Sequence, residues 1–154
     1  MAVLTGSCRF GLWHVHVAWQ DDIVYRVRFA RVGLVGPVPE EILRYCSGRR
    51  GDLSTLRSVA TEGKSTFARI YRAVREIPCG ETATYGEIAR KVGTAPRAVG
   101  SAMARNPTPI VVPCHRVVAK AGLGGFSPDP TIKEALLAME RRKPGPCTPE
   151  NERD

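Results

Sequence analysis

The feature that most narrows the possible folds is a change of hydrophobic period along the chain. In residues 13–19 the apolar Trp13, Val15, Val17 and Trp19 alternate with His14, His16 and Ala18. After Gln20-Asp21-Asp22, the residues Ile23, Tyr25, Val27 and Phe29 repeat the pattern. A period of two belongs to strands with one face on a core, so this stretch predicts a β-hairpin. Further on the period becomes helical: Phe67, Ile70, Tyr71 and Val74 fall at i, i+3, i+4 and i+7, a single buried stripe. Strands first and helices later predict an α+β fold. A small N-terminal β-sheet/helix lobe with its linker occupies residues 1–63 and serves as structural support. A mainly α-helical lobe occupies residues 64–143. The proline-containing, terminally acidic residues 144–154 read as a disordered tail.

Within the first lobe a short helix is expected over residues 40–45, after Pro37 and Pro39, and the polar residues 47–63 read as a connection. His14 and His16 share the outer face of the hairpin. With no third ligand in sight, two solvated histidines are expected there rather than a metal site.

In the second lobe Thr84 and Glu87 have capping-box spacing and Gly93 ends the helix they start. Thr94 is expected to cap the next helix, with Pro96 in its first turn and Ala98, Gly100, Ala102 and Ala104 along it. Two short helices joined around a glycine form a helix-turn-helix, winged-helix-like pattern. Arg97 followed by small side chains suits close backbone approach to DNA with few base-edge contacts, hence little sequence preference. On composition alone the same small-residue face could equally pack against another helix. The last helix is expected to run from Thr131, capped in a box with Glu134, to about residue 143. Its buried stripe is Ile132, Leu136 and Met139, with Glu140 beside it. A carboxylate near a helix C-terminus gains nothing from the dipole; on position alone it reads as a surface carboxylate, with another task as the alternative.

Charge is distributed unevenly. Residues 1–63 hold eight Lys/Arg against six Asp/Glu, residues 64–143 hold fourteen against six, and residues 144–154 hold one against three. The basic excess of the second lobe is what a phosphate-backbone binder needs, because Lys and Arg contacts release counterions. No apolar run reaches membrane-spanning length and no signal segment is visible, so an intracellular, cytoplasmic protein is expected. The five cysteines are odd in number and widely spaced; they suggest neither a disulfide framework nor a zinc pair, and reduced thiols are the default.

The chemistry concentrates in Pro113-Cys114-His115-Arg116-Val117-Val118, which follows the apolar run Ile110-Val111-Val112, read as a strand. The thiolate is the nucleophilic form of cysteine, and a nearby imidazole or positive field favours it. The plain alternative is a small buried thiol beside a satisfied core histidine.

The run from Asn106 through Val118 closely resembles the active-site segment of the O6-alkylguanine-DNA alkyltransferases. Thr84-Tyr85-Gly86, Arg97-Ala98-Val99-Gly100-Ser101-Ala102-Met103 and Leu136-Leu137-Ala138-Met139-Glu140 extend the resemblance over residues 64–142. It implies direct-reversal DNA repair, in which Cys114 irreversibly accepts the alkyl group of O6-alkylguanine from double-stranded DNA. It implies catalytic roles for Cys114, for His115 held in the right tautomer by Glu140, for Tyr85, and for Asn106 bracing the turn. Tyr85, Arg97, Ala98, Gly100 and Ser101 would contact DNA, Arg97 as the finger that replaces the flipped base. Val117, Ser127 and Tyr85 would line the guanine pocket, with Ser127 offering a donor to O6. The resemblance further implies a monomer working without cofactor or metal. Two rivals are a non-catalytic lesion-sensing DNA binder, against which Cys114 argues, and a Cys-His acyl hydrolase, against which the basic helix pair argues.

Overall fold

The computed structural model describes residues 2–49 and 52–142; the expected C-terminal tail lies outside them. The hairpin is present and is widened on both sides. Strands β1 (Leu4–Phe10), β2 (Trp13–Gln20) and β3 (Ile23–Ala30) form an antiparallel meander, and β4 (Arg57–Ser58) joins in parallel at the start of β3. The sequence reading misses β1 because its buried positions, Gly6, Cys8 and Phe10, make a weak alternation. Gly6 is required there. A Cβ would stand 2.3 Å from the carbonyl oxygens of Gly36 and Pro37, where residues 31–38 cross the strand.

The expected alternation in β3 needs correcting. Ala18 pairs with Arg26 and Trp19 with Val24, which leaves Tyr25 as the extra residue of a β-bulge. The phase therefore changes: Val24, Val27 and Phe29 are buried, while Tyr25 is 37% exposed. The two histidines are half-buried on the outer face of the hairpin. His16 Nε2 donates to the Val32 carbonyl at 2.7 Å, and a Cβ on Gly33 would stand 2.9 Å from His14 Nδ1. Among the described residues no group of three His, Cys, Asp or Glu could hold a metal ion.

Helices α1 (Glu40–Cys46) and α5 (Pro130–Arg141) share one core with the sheet, joining Ile42, Tyr45, Ile132 and Leu136 to Val15, Val17 and Val27. Helices α2 (Thr66–Arg75), α3 (Tyr85–Val92) and α4 (Pro96–Ala104) close a second core around Ile70, Val74, Ile88 and Val99. The α3 capping box is complete, and Gly93 ends the helix in the left-handed region at φ 87°. Two other caps differ from expectation. Ala95, not Thr94, precedes α4 and makes no side-chain cap bond, and Pro96, which lacks an amide donor, takes the first position. Asp129, not Thr131, caps α5: its carboxylate accepts from the Thr131 amide at 2.9 Å, and Pro130 fits the first turn. Among the described residues no helix is long and apolar enough to cross a membrane. Cys8, Cys46 and Cys114 are free thiols. Cys79 is disulfide-bonded, which corrects the expectation of reduced thiols throughout; spacing along the sequence does not reveal which pairs folding brings together.

Residues 110–117 thread between the two cores, giving Ile110 and Val111 to the first and Val112 and Val117 to the second. This run is not the expected strand. Ile110 takes φ 77°, the Val112 amide bonds back to the Thr108 carbonyl at 2.9 Å, and the prolines at 107, 109 and 113 withhold the donors a ladder needs. Only β6 (Val117–Val118) is extended, pairing in parallel with β5 (Ala83–Thr84).

A buried hydroxyl pair fixes the start of this run to the first lobe. Ser58 Oγ and Thr108 Oγ1 lie 2.6 Å apart, and both residues are fully buried. Ser58→Ala leaves the Thr108 hydroxyl without its partner, and urea denaturation should show a loss of about 1–3 kcal/mol. A loss near zero would mean that Thr108 finds another partner.

Candidate active site

Cys114 sits where the chain reverses direction. Pro113 has φ −77° and ψ 69°, and the Cys114 amide bonds to the Val112 carbonyl at 2.7 Å, the geometry of an inverse γ-turn. A single 3-10 turn, Cys114–Arg116, then leads into β6. Asn106 holds the approach: its Nδ2 donates to the Val112 carbonyl at 2.9 Å and its Oδ1 accepts from the Thr108 amide at 3.0 Å.

The thiol lines a pocket of about 920 Å³, shared with Tyr85, Gly100, Asn106 and Ser127 and walled on one side by residues 25–29 of β3. Burial pushes the Cys114 thiol above its ordinary value. A hydrogen bond with the Asn106 side chain and the positive charge of Lys133 act in the other direction. The thiol is thus stored protonated in surroundings that partly favour its anion.

Behind the thiol lies a buried polar cluster built on Glu140, which is 1% exposed. Its Oε2 accepts from His115 Nε2 at 2.6 Å, from the Tyr45 hydroxyl at 2.5 Å and from Arg116 Nη2 at 2.9 Å. Its Oε1 accepts from Arg116 Nε and from the Gly80 amide, both at 3.0 Å. Burial alone would raise the Glu140 carboxyl, but the hydrogen bonds and charges of His115 and Arg116 outweigh it and hold the group well below the usual carboxylate range. Burial lowers the His115 imidazole, and the hydrogen bond to Glu140 only partly offsets this. A neutral ring that donates from Nε2 keeps its lone pair on Nδ1. That nitrogen is buried and has no hydrogen-bond partner among the described residues. The cluster can therefore hold His115 as a base.

Two members of the site were not read from sequence. Tyr45 belongs to α1 and reaches the cluster only through tertiary packing, from ninety-five positions before Glu140. Lys133 is 1% exposed and donates from Nζ to the Val117 carbonyl at 2.7 Å and the Gly125 carbonyl at 3.4 Å. Its signal was available, since positions 133, 137 and 140 share one helical face. Near it, Gly124 takes φ 81° and passes so close to Tyr85 that a Cβ would stand 2.8 Å from the phenol oxygen. The remaining candidates lie apart from the pocket lining. Val117 is fully buried in β6, while Arg97, Ala98 and Ser101 lie on α4, with Arg97 exposed.

Glu140→Gln leaves Arg116 buried without its counter-charge and should cost about 3–5 kcal/mol at neutral pH. Because the folded-state value of Glu140 is depressed, its contribution is complete above the ordinary carboxylate pKa of about 4.3 and is lost as pH falls through the folded value. In urea melts the gap between parent and variant should stay constant above about pH 5 and narrow below pH 4. A gap that widens in acid would contradict the ion pair.

Comparison with known proteins bears on the same residues. A family model described as the DNA-binding domain of 6-O-methylguanine DNA methyltransferase matches residues 65–142. A methylated-DNA–protein-cysteine methyltransferase of Metallosphaera sedula is 44% identical over 96 residues, covering 62% of this chain and 61% of the relative. One from Thermococcus kodakarensis is 42% identical over 104 residues, covering 66% and 60%. The chain thus spans about three-fifths of the length of these relatives. The crystal structure of Mycobacterium tuberculosis O6-methylguanine methyltransferase superposes with a TM-score of 0.75 at 28% identity, over 93% of this chain and 95% of that one. The M. tuberculosis protein in complex with DNA superposes at 0.72 with 30% identity, over 88% and 91%. The matched span runs from the cap of α2 through the helix pair and the Cys114 turn to Glu140, and on that ground the chain belongs to the 6-O-methylguanine DNA methyltransferase family.

Proposed function

We propose that this protein repairs alkylated DNA by direct reversal, moving the alkyl group, methyl in the simplest case, from O6 of a flipped-out guanine onto Cys114. The observation that carries the reading is the pairing of a pocket-lining thiol with a buried histidine whose Nε2 is committed to Glu140 and whose Nδ1 has no hydrogen-bond partner among the described residues. His115, through one water on Nδ1, takes the thiol proton as attack begins. The sulfur–carbon bond forms while the carbon–O6 bond breaks in line. Guanine leaves neutral as Tyr85 gives its phenol proton to the ring nitrogen, and the proton taken up by His115 returns to the phenolate through solvent. A thioether has no leaving path here, so each molecule acts once and the step balances without a cofactor.

The substrate has to leave the duplex, since a stacked guanine hides O6 from a thiol. In this reading residues 64–143 are the DNA-binding and alkyl-acceptor unit and residues 1–63 the supporting lobe. Helix α4 approaches DNA through Ala98, Gly100 and Ser101 with little sequence preference, and Arg97 fills the gap left by the base. Tyr85, Val117 and Ser127 receive the guanine, with Ser127 near O6. The protein acts as a monomer on double-stranded DNA in the cytoplasm.

Incubation with a duplex containing O6-methylguanine, followed by intact and peptide mass spectrometry, should show one methyl per molecule on the Cys114 peptide. Cys114→Ser should show none. Duplex binding with no mass gain would replace this reading with that of a non-catalytic lesion sensor, and repeated turnover without a mass gain would indicate a hydrolase.

A further inference from the structure

The first lobe contributes more than support to the pocket. Residues 25–29 of β3 and the end of α4 both line the cavity that holds Cys114. The strand is fastened there: the Val27 amide donates to the Pro107 carbonyl at 2.8 Å, one residue beyond Asn106. The bulge at Tyr25 interrupts the alternation just before this point, leaving Tyr25, Arg26 and Arg28 exposed while Val27 and Phe29 stay in the core.

The charge of the cavity lining is one-sided. Three arginines, Arg26, Arg28 and Arg105, line the pocket and no aspartate or glutamate does. At the far end of the same strand pair the acidic Asp22 is already engaged, held by Arg57 in a two-pronged contact with both bonds at 3.0 Å. Arg26 and Arg28 have no such partner; neither side chain makes a hydrogen bond or ion pair among the described residues. Unpaired guanidiniums facing a common cavity repel one another, a cost that an anion at the cavity mouth removes. Their planar, forked donor geometry suits phosphate oxygens.

We infer that Arg26 and Arg28 on β3 form a second DNA contact, apart from α4, gripping backbone phosphates of the strand that delivers the guanine. The inference rests on the reading of the pocket as the place where a nucleotide meets Cys114. A nucleotide that turns its base towards Cys114 leaves its two flanking phosphodiesters at the mouth, where these side chains lie. The first lobe then acts as half of a clamp, with Arg105 at the end of α4 in the other half. The contact is to phosphate and carries no base preference.

The test is equilibrium binding of the full chain to a duplex with one O6-methylguanine, in a Cys114→Ser background so that no transfer intervenes, from about 50 to 200 mM salt. Each phosphate contact adds about 0.9 to the slope of log affinity against log salt. Arg26→Ala with Arg28→Ala should lower that slope by about two and weaken binding on the order of fiftyfold at the middle of the range. Arg26→Lys with Arg28→Lys should keep most of the slope. If the alanine pair does not fold, Arg28→Gln alone should lower the slope by about one. A slope equal to that of the parent, or weaker binding with an unchanged slope, would overturn the contact. Mass spectrometry of the unaltered chain separates the two readings. Methyl transfer together with an unchanged slope removes only the β3 contact. A reduced slope without methyl transfer supports the contact and removes only the transferase chemistry.

Discussion

One buried carboxylate holds this structure together at its centre. Glu140 draws donors from α1 through Tyr45, from the turn after α2 through Gly80, and from the 3-10 turn through His115 and Arg116. Taking a carboxylate and a guanidinium out of water costs several kcal/mol per ion, and the arrangement is tolerable only when nearly every lone pair is met. Five donors on two oxygens meet that demand. Any displacement of α1, α5 or the turn would strand one of them. The ion pair is thus worth less as a source of stability than as a constraint: these segments have one compatible arrangement, and it orients the imidazole.

That constraint reaches the thiol by a short path. The run between Thr108 and Val117 is pinned by apolar side chains to both cores and by Asn106 and Ser58 to its flanks. Three prolines forbid a regular strand and produce the reversal that leaves the Cys114 sulfur at the pocket. Ile110, a β-branched residue at positive φ, shows how tightly the surroundings hold the turn. The same fixed position places the thiol near Lys133 and Asn106, whose effects oppose the burial that would otherwise keep it inert.

The local features of the fold were legible in the sequence. The capping box at Thr84 and Glu87, the glycine stop at Gly93 and the stripe of α2 each need only a few neighbouring residues, and they stand where their chemistry puts them. What escaped were consequences of distance. The role of Gly6 depends on a segment thirty residues away, and the phase of β3 depends on a bulge against β2 that no alternation announces. Asp129 outcompetes Thr131 as a cap because Pro130 can begin a helix without an amide donor. The site divides in the same way. Cys114, His115 and Glu140 could be singled out from motif and helix position. Tyr45 could not, because its apolar ring fits α1 as an ordinary core residue and only the tertiary structure gives its hydroxyl a task.

The central physical claim is that His115 is held neutral, with its proton on Nε2 facing Glu140 and its Nδ1 available as a base. Nitrogen-15 NMR of the histidine rings near pH 7 tests it directly. The ring assigned to His115, by its loss in a His115→Gln chain, should carry a protonated Nε2 and an unprotonated Nδ1, and should lose that pattern in a Glu140→Gln chain. A doubly protonated ring, or a proton on Nδ1, would contradict it.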